Sequence, residues 1–177
     1  KSLLFGTELA KFASPDVTGI GGKYTTLFTP GVSLAAVPFY YLGNIFGLPQ
    51  LITYLSTTIF ALLNIFLVYL ISRRFSTNRA LSIVSGLSFG FATSAMAYSN
   101  TLTQHHLSVF LILLAILNAA SKRNFVNNFT FGLIAGAGLL VDIPNFFMMF
   151  PIGLYILLRN FDLEKIGNDL RLKMKLS

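Results

Sequence analysis

Between Gln50 and Arg159 the chain is a series of apolar runs, and its charged residues fall only at the joints between them. The runs cover residues 50–72, 80–98, 106–120, 128–141 and 145–158. The joints carry Arg73, Arg74 and Arg79, then Lys122 and Arg123, then Asp142, then Arg159. About 20 apolar residues cross a ~30 Å hydrocarbon core, and shorter helices serve where they tilt or are partly covered by protein. Charged residues make up 11% of the 177 and hydrophobic residues 54%. A soluble domain averages roughly 25% charged residues, so this chain cannot cover a water-facing surface. The expectation is an all-α polytopic membrane helix bundle with about five transmembrane helices.

A sixth run, residues 29–49, reads "TPGVSLAAVPFYYLGNIFGLP". Pro38, Gly43, Asn44 and Gly47 interrupt it and favour a broken helix. The arginine-bearing joints share one face with Lys165, Arg171, Lys173 and Lys175, whichever way this run lies. An excess of Lys and Arg marks the cytoplasmic side, so the joint holding His105 and His106 is expected outside. Taking 29–49 as an outer juxtamembrane helix puts residues 1–28, with Lys1, Lys11 and Lys23, on that outer face. The expected organisation is an outer loop over 1–28, a juxtamembrane helix over 29–49 and a five-helix bundle over 50–160. Residues 161–177 follow as an inner-face amphipathic tail or a linker to further spans. The chain opens on Lys1 in polar material and closes on a basic segment, so both ends read as cut from a longer plasma-membrane protein.

The net charge of +7 forms no basic stripe, which argues against a nucleic-acid partner. The absence of cysteine removes disulfides and thiolate metal sites. Ser82, Gly86, Gly90 and Ser94 recur every four residues, as do Gly132 and Gly136. Small residues at that spacing let helix backbones approach closely in lipid. In the tail, Leu163, Ile166, Leu170 and Met174 suggest one apolar helical face on an anionic leaflet. Asn128 begins a glycosylation sequon, but on the inner side, where it is expected to stay unmodified.

Nearly every group able to do acid–base work falls on the outer side: Glu8, Asp16, Asp142, His105, His106, Asn100, Gln104, Lys23 and Tyr24. Each has a plainer reading. Asp142, in "LLVDIPN", either caps the helix that Pro144 announces or serves a site, since an acid closing an apolar helix is costly. Asp16 suits a turn and Glu8 a solvated surface helix. His105 and His106 diverge by about 100° on a helix. One could then hold a metal or a phosphate while the other sits at the interface, and helix-end hydrogen bonding is the plainer reading of each. The HxxxH or HxH spacing that converges two ligands is absent.

Three segments together resemble a known family. "GGKYTTLFTPGVSLAAVPFYYLG" resembles "GxYYSxKxPG…LLAxPxY", and "YSNTLTQHHLSVFLILLAI" resembles "SRTLFGHxLAxFLLFLAL". "GLIAGAGLLVDIPN" resembles "GLLAGLAVLVDYP". These patterns belong to the GT-C superfamily of membrane glycosyltransferases, which includes protein O-mannosyltransferases and the lipid A aminoarabinose transferase. The resemblance spans most of residues 15–150 and places His105 and Asp142 on family positions. It implies sugar transfer from a polyprenyl-phosphate donor to an acceptor on the outer face. Asp16 or Glu8 would be the first-loop acid and Asp142 a further catalytic group. Lys23, Tyr24, Asn100, Gln104 and His105 would contact substrate, and a divalent metal, if used, would sit on His105. The family's Lys before Pro-Gly is Phe28 here, which removes a phosphate-binding charge unless Lys23 replaces it. A non-catalytic scaffold subunit or pseudoenzyme of the same fold, working with other membrane subunits, is the alternative. A transporter half ranks last, because the runs hold only Asn64, Ser and Thr as mid-membrane polar groups.

Overall fold

The computed structural model describes residues 4–5, 17–20, 23–26, 29–166 and 169–174, with side chains over 29–161. The chain divides into two compact units, Lys1–Pro30 and Gly31–Ser177.

In the first unit, β1 (Leu4–Phe5), β2 (Val17–Ile20) and β3 (Lys23–Thr26) form an antiparallel sheet in the order β1-β3-β2. The β2–β3 register pairs Ile20 with Lys23 and Thr18 with Thr25. β-branched residues and the intervening Gly21-Gly22 are a hairpin signal in a segment expected to be a loop.

The second unit is a helix bundle, as the apolar runs require. It comprises α1 (Gly31–Ile45), α2 (Pro49–Phe75), α3 (Arg79–Phe91), α4 (Ala95–Tyr98), α5 (His105–Ala119), α6 (Phe125–Val141) and α7 (Asn145–Leu158). A hairpin of β4 (Phe161–Ile166) and β5 (Asp169–Met174) follows. α2 packs on α1, α3 and α5, while α5, α6 and α7 pack on one another.

α2 starts with Pro49 in its first turn, where the missing N–H costs nothing. At its other end, Arg73 Nη1 donates to Ser76 O and Thr77 O, placing a cation where the helix dipole is negative. Its 27 residues span about 40 Å. Among the described residues it is the one helix long and apolar enough to cross a membrane by itself; the other apolar helices are shorter.

The outside of the bundle is apolar, and its interior is partly polar. The largest fully buried side chains are Asn64 and Ser82, and the buried set includes Ser56, Thr57, Ser108 and Asn145. Large apolar side chains such as Phe75, Ile45, Phe147 and Leu62 point outward. Polar residues thus share the interior with an apolar cluster of Leu107, Leu111, Ala115, Val141 and Met149, while large apolar residues cover the outside, as expected when the solvent is lipid.

Four details differ from the sequence reading. First, α1 runs unbroken through Pro38, and the break comes later, at Gly47, whose φ is +70°. A Cβ on Gly31 would run into the Leu140–Val141 backbone, and one on Gly43 would meet Pro49 at 2.6 Å. The glycines thus serve close packing at both ends of α1. Second, the run 80–98 is not one helix. Thr93 Oγ1 donates to Phe89 O and accepts from Ala95 N, and such local side-chain bonds compete with the helix. Third, of the two glycine ridges only the α3 one packs. Ser82, Gly86 and Gly90 are buried, with Ile65 of α2 close against both glycines. A Cβ on Gly132 or Gly136 would meet nothing within 4 Å, and the buried glycine of α6 is Gly138. Fourth, the tail is a hairpin and not an amphipathic helix. "DLRLKM" alternates strictly, the period of a strand, and its Gly167-Asn168 is a two-residue turn signal.

Candidate functional site

His105 and His106 open α5, and their divergence on the helix separates their roles. His106 is buried and held from two sides. Asn64, fully buried in α2, donates from Nδ2 to His106 O at 2.9 Å and lies 3.4 Å from its Nδ1. His106 Nε2 lies 2.9 Å from Ala95 O of α4. A carbonyl can only accept, so Nε2 carries the proton and Nδ1 is the acceptor facing Asn64. This chain of contacts ties α2 to α5 and α4, fixing the segment between α3 and α5.

His105 is exposed, with its ring edge-on to Tyr98 at a centroid separation of 4.6 Å. Around the two histidines lies an open groove of about 250 Å³, walled by Phe89, Thr93, Ser94, Ala95, Tyr98 and Val109. On the other side of His106 a crevice of about 10 Å³ is lined by Ala35, Ala36, Ser56, Thr57 and Thr103. The buried Thr103 hydroxyl has no partner there. That volume is at the lower limit for one water.

Asp142 stands at the same end of the bundle. It is the C-cap residue of α6, with its N–H on Gly138 O and its own carbonyl accepting from Asn145 N. Asn145 Nδ2 donates to Gly138 O at 2.9 Å and to Ser108 Oγ at 3.0 Å. One buried amide therefore fastens the start of α7 to α6 and to the first turn of α5. The Asp142 side chain does not cap α7, whose N-cap is Pro144 without a side-chain bond. Its half-buried carboxylate makes no hydrogen bond or ion pair with a described residue. It does not line the histidine groove.

Asn100 is exposed on the link before α5, and Gln104 precedes His105 without a side-chain capping bond. Lys23 and Tyr24 are successive residues of β3, paired with Ile20 and Gly19, and their side chains lie outside the described set. Glu8 and Asp16 lie outside the described residues. Sequence reasoning missed Asn145 as a site element and counted Asn64 only as a stray polar group. The available signal was an amide inside or at the end of an apolar helix, which is costly unless it is bonded.

No cluster of three or more metal-ligating side chains occurs among the described residues. Both His106 nitrogens face protein groups, and the exposed His105 ring stands edge-on to Tyr98. The described donor set does not fit a metal centre.

Against known families, residues 34–169 match the profile described as dolichyl-phosphate-mannose-protein mannosyltransferase. That match covers well over half of the chain. The chain belongs to this family. It is thus a member of a membrane-embedded glycosyltransferase family of GT-C type. The matched region begins inside α1 and takes in α2 to α7, and with them His105 and Asp142. Glu8, Asp16, Lys23 and Tyr24 precede it. No curated protein and no solved structure matches the chain.

Proposed function

We propose that this mannosyltransferase-family chain is a multi-pass part of a glycosyltransferase that moves a sugar from a polyprenyl-phosphate donor to an acceptor at the extracytoplasmic face. Family membership supports a lipid-linked sugar donor and a bilayer setting. The observation that carries the site is the Asp142 carboxylate, which bonds no described residue and whose backbone is tethered through Asn145 to the histidine end of α5. Arg73, Arg74, Lys122 and Arg159 occupy the opposite helix ends, which supports a cytoplasmic arginine side and an outer histidine side. A site at the rim also suits a donor whose tail stays in lipid.

In this reading the acceptor hydroxyl gives its proton to a carboxylate, and its oxygen attacks the anomeric carbon. The bond from that carbon to the phosphate oxygen breaks, and the configuration inverts. General-base help contributes typically 10²–10⁴-fold. The first-loop acids Asp16 and Glu8 and the Asp142 carboxylate are the candidates for that role. Charge grows on the departing phosphate, so cationic or hydrogen-bonding groups there lower the barrier. Lys23, Tyr24, His105, Asn100 and Gln104 are the candidates. α1, with Tyr40, Tyr41, Leu42 and Ile45 exposed, suits a juxtamembrane helix at that interface.

Asp142→Ala and His105→Ala, assayed for sugar transfer from a polyprenyl-phosphate donor, test the reading. Losses of about 10²-fold or more are expected for a base and smaller ones for a binding group. Unchanged turnover in both variants removes these residues from the site. Phe28, in place of the family's lysine, favours a second reading, a non-catalytic subunit of the same fold. Absence of transfer, with Phe28→Lys restoring it, is the result expected from that alternative.

A further inference from the structure

Among the described residues, no lysine, arginine, aspartate or glutamate lines the groove beside His105. Three accessible polar residues line it instead. The His105 nitrogens and the Tyr98 hydroxyl make no hydrogen bond with a described residue. Ser94 makes no side-chain bond to the start of α4. All three residues are exposed. Thr93 is already engaged, since its hydroxyl donates to Phe89 O and accepts from Ala95 N.

The chemistry of these groups selects a ligand. A serine or tyrosine hydroxyl both donates and accepts, and a neutral imidazole has one donor and one acceptor nitrogen. A sugar hydroxyl also does both, so it can answer either role at each of them. A phosphate oxygen only accepts and is held best by cations, and the lining has no lysine or arginine. Between the polar groups the wall is the ring of Phe89, the ring of Tyr98 and Val109. An aromatic face is electron-rich and receives the polarised C–H groups on the flat side of a sugar ring. Pockets for drug-sized molecules begin at roughly 300 Å³, so a groove of about 250 Å³ suits a single ring.

The wall is also braced without a ligand. His106 Nε2 holds Ala95 O at 2.9 Å, and Thr58 Oγ1 of α2 donates to Ser99 O at 3.0 Å. α4 is thereby fastened from α5 and from α2, with Ser94 and Tyr98 at its two ends. Fixing the contact groups in advance lowers the ordering cost of binding.

We propose that this groove binds an uncharged sugar ring, with its C–H face on Phe89 and Tyr98 and its hydroxyls on His105, Ser94 and the Tyr98 hydroxyl. The assignment deepens the transferase reading and rests on it for the kind of ring. It makes His105 a sugar-binding residue and leaves the donor's phosphate to other groups. The ring belongs to the lipid-linked donor or to a glycan acceptor, which offer the same chemistry here.

The test is nitrogen-15 NMR of the full chain with both histidines labelled, in a detergent without a sugar head. The probes are methyl α-mannoside, after the sugar in the family's description, and inorganic phosphate at matched ionic strength. His105→Gln identifies the His105 signals. The glycoside is expected to shift those signals saturably, with half-saturation in the millimolar range, and to leave His106 unmoved. Tyr98→Phe and Ser94→Ala should each weaken binding about fivefold, the loss of one hydrogen bond. Tyr98→Leu and Val109→Phe should weaken it at least tenfold, by removing the ring and by filling the groove. An unchanged His106 signal reports that α4 and α5 still hold together in each variant. Displacement of the glycoside by polyprenyl-phosphate mannose assigns the ring to the donor, and failure of displacement assigns it to an acceptor glycan. No saturable shift with the glycoside, or a His105 shift that saturates at lower phosphate than glycoside, overturns the proposal. So does glycoside binding that Tyr98→Leu and Val109→Phe leave unchanged. Absence of sugar transfer with glycoside binding intact would instead bear on the transferase reading alone.

Discussion

Single buried amides carry much of the information in this bundle. Asn64 presents Nδ2 to the backbone and ring of His106, while its own Oδ1 stays buried and unpaired. An interhelical hydrogen bond in a membrane is worth about 0.6 kcal/mol on average and up to about 1.7. Asn64→Leu should therefore lower stability by roughly 1 kcal/mol. The cycle with His106→Phe should be non-additive by at least about 0.5 kcal/mol, read from thermal midpoints in detergent. Asn145 binds two partners on two helices, so Asn145→Ala should cost more than Asn64→Leu. Asp142 gives the opposite expectation. With no partner to lose among the described residues, Asp142→Asn should change stability by less than about 0.5 kcal/mol, while sugar transfer falls. A large stability loss in that variant would mean that the carboxylate has a structural duty.

At the scale of elements, the two glycine ridges look alike in sequence and differ in what they touch. On α3, a Cβ at Gly86 would come within 2.9 Å of Ile65 O, and a backbone atom cannot step aside. Gly86→Leu should separate α2 from α3 and cost about 1–3 kcal/mol by overpacking. On α6, Gly132 and Gly136 face open space. Replacing either with Ala removes a poor helix former and should stabilise by up to about 1 kcal/mol. Thermal unfolding of the two sets should therefore move in opposite directions. A loss of stability at Gly132→Ala would point to a packing partner on that face.

For the whole molecule, orientation is the property from which the catalytic reading follows. The chain has no cysteine, so single cysteines report topology without background. Thr101→Cys, on the histidine side, should react with a membrane-impermeant maleimide on intact cells. Thr77→Cys, between the arginine-bearing helix ends, should react only after the membrane is opened. The reverse pattern would move the site to the cytoplasm and remove the extracytoplasmic reaction. The two sides also differ in chemistry. Among the described residues, the histidine end gathers neutral amides, imidazoles and Asp142, whereas the arginine end offers cations and an apolar slot.

The sequence by itself determined where the bundle helices lie, where charge is tolerated and which groups share an end. Apolar run length and the cost of burying charge are properties of a segment alone. α7 occupies the expected residues, α5 and α6 begin one and three residues earlier than their runs, and α2 extends past both ends of its run. Which face of each helix turns inward was decided by tertiary structure. In lipid both faces are apolar, so hydropathy does not separate the packed α3 glycines from the open α6 ones. The same limit hid the division of labour between His105 and His106 and the bracing role of Asn145. The alternation in the tail and the Gly-Gly hairpin before Lys23 were legible locally, but a helical period and a loop composition were read in their place. Asp142 makes the general point: its place at a helix end is written in the chain, yet its freedom from any cap depends on where α5 and α7 put their own polar groups.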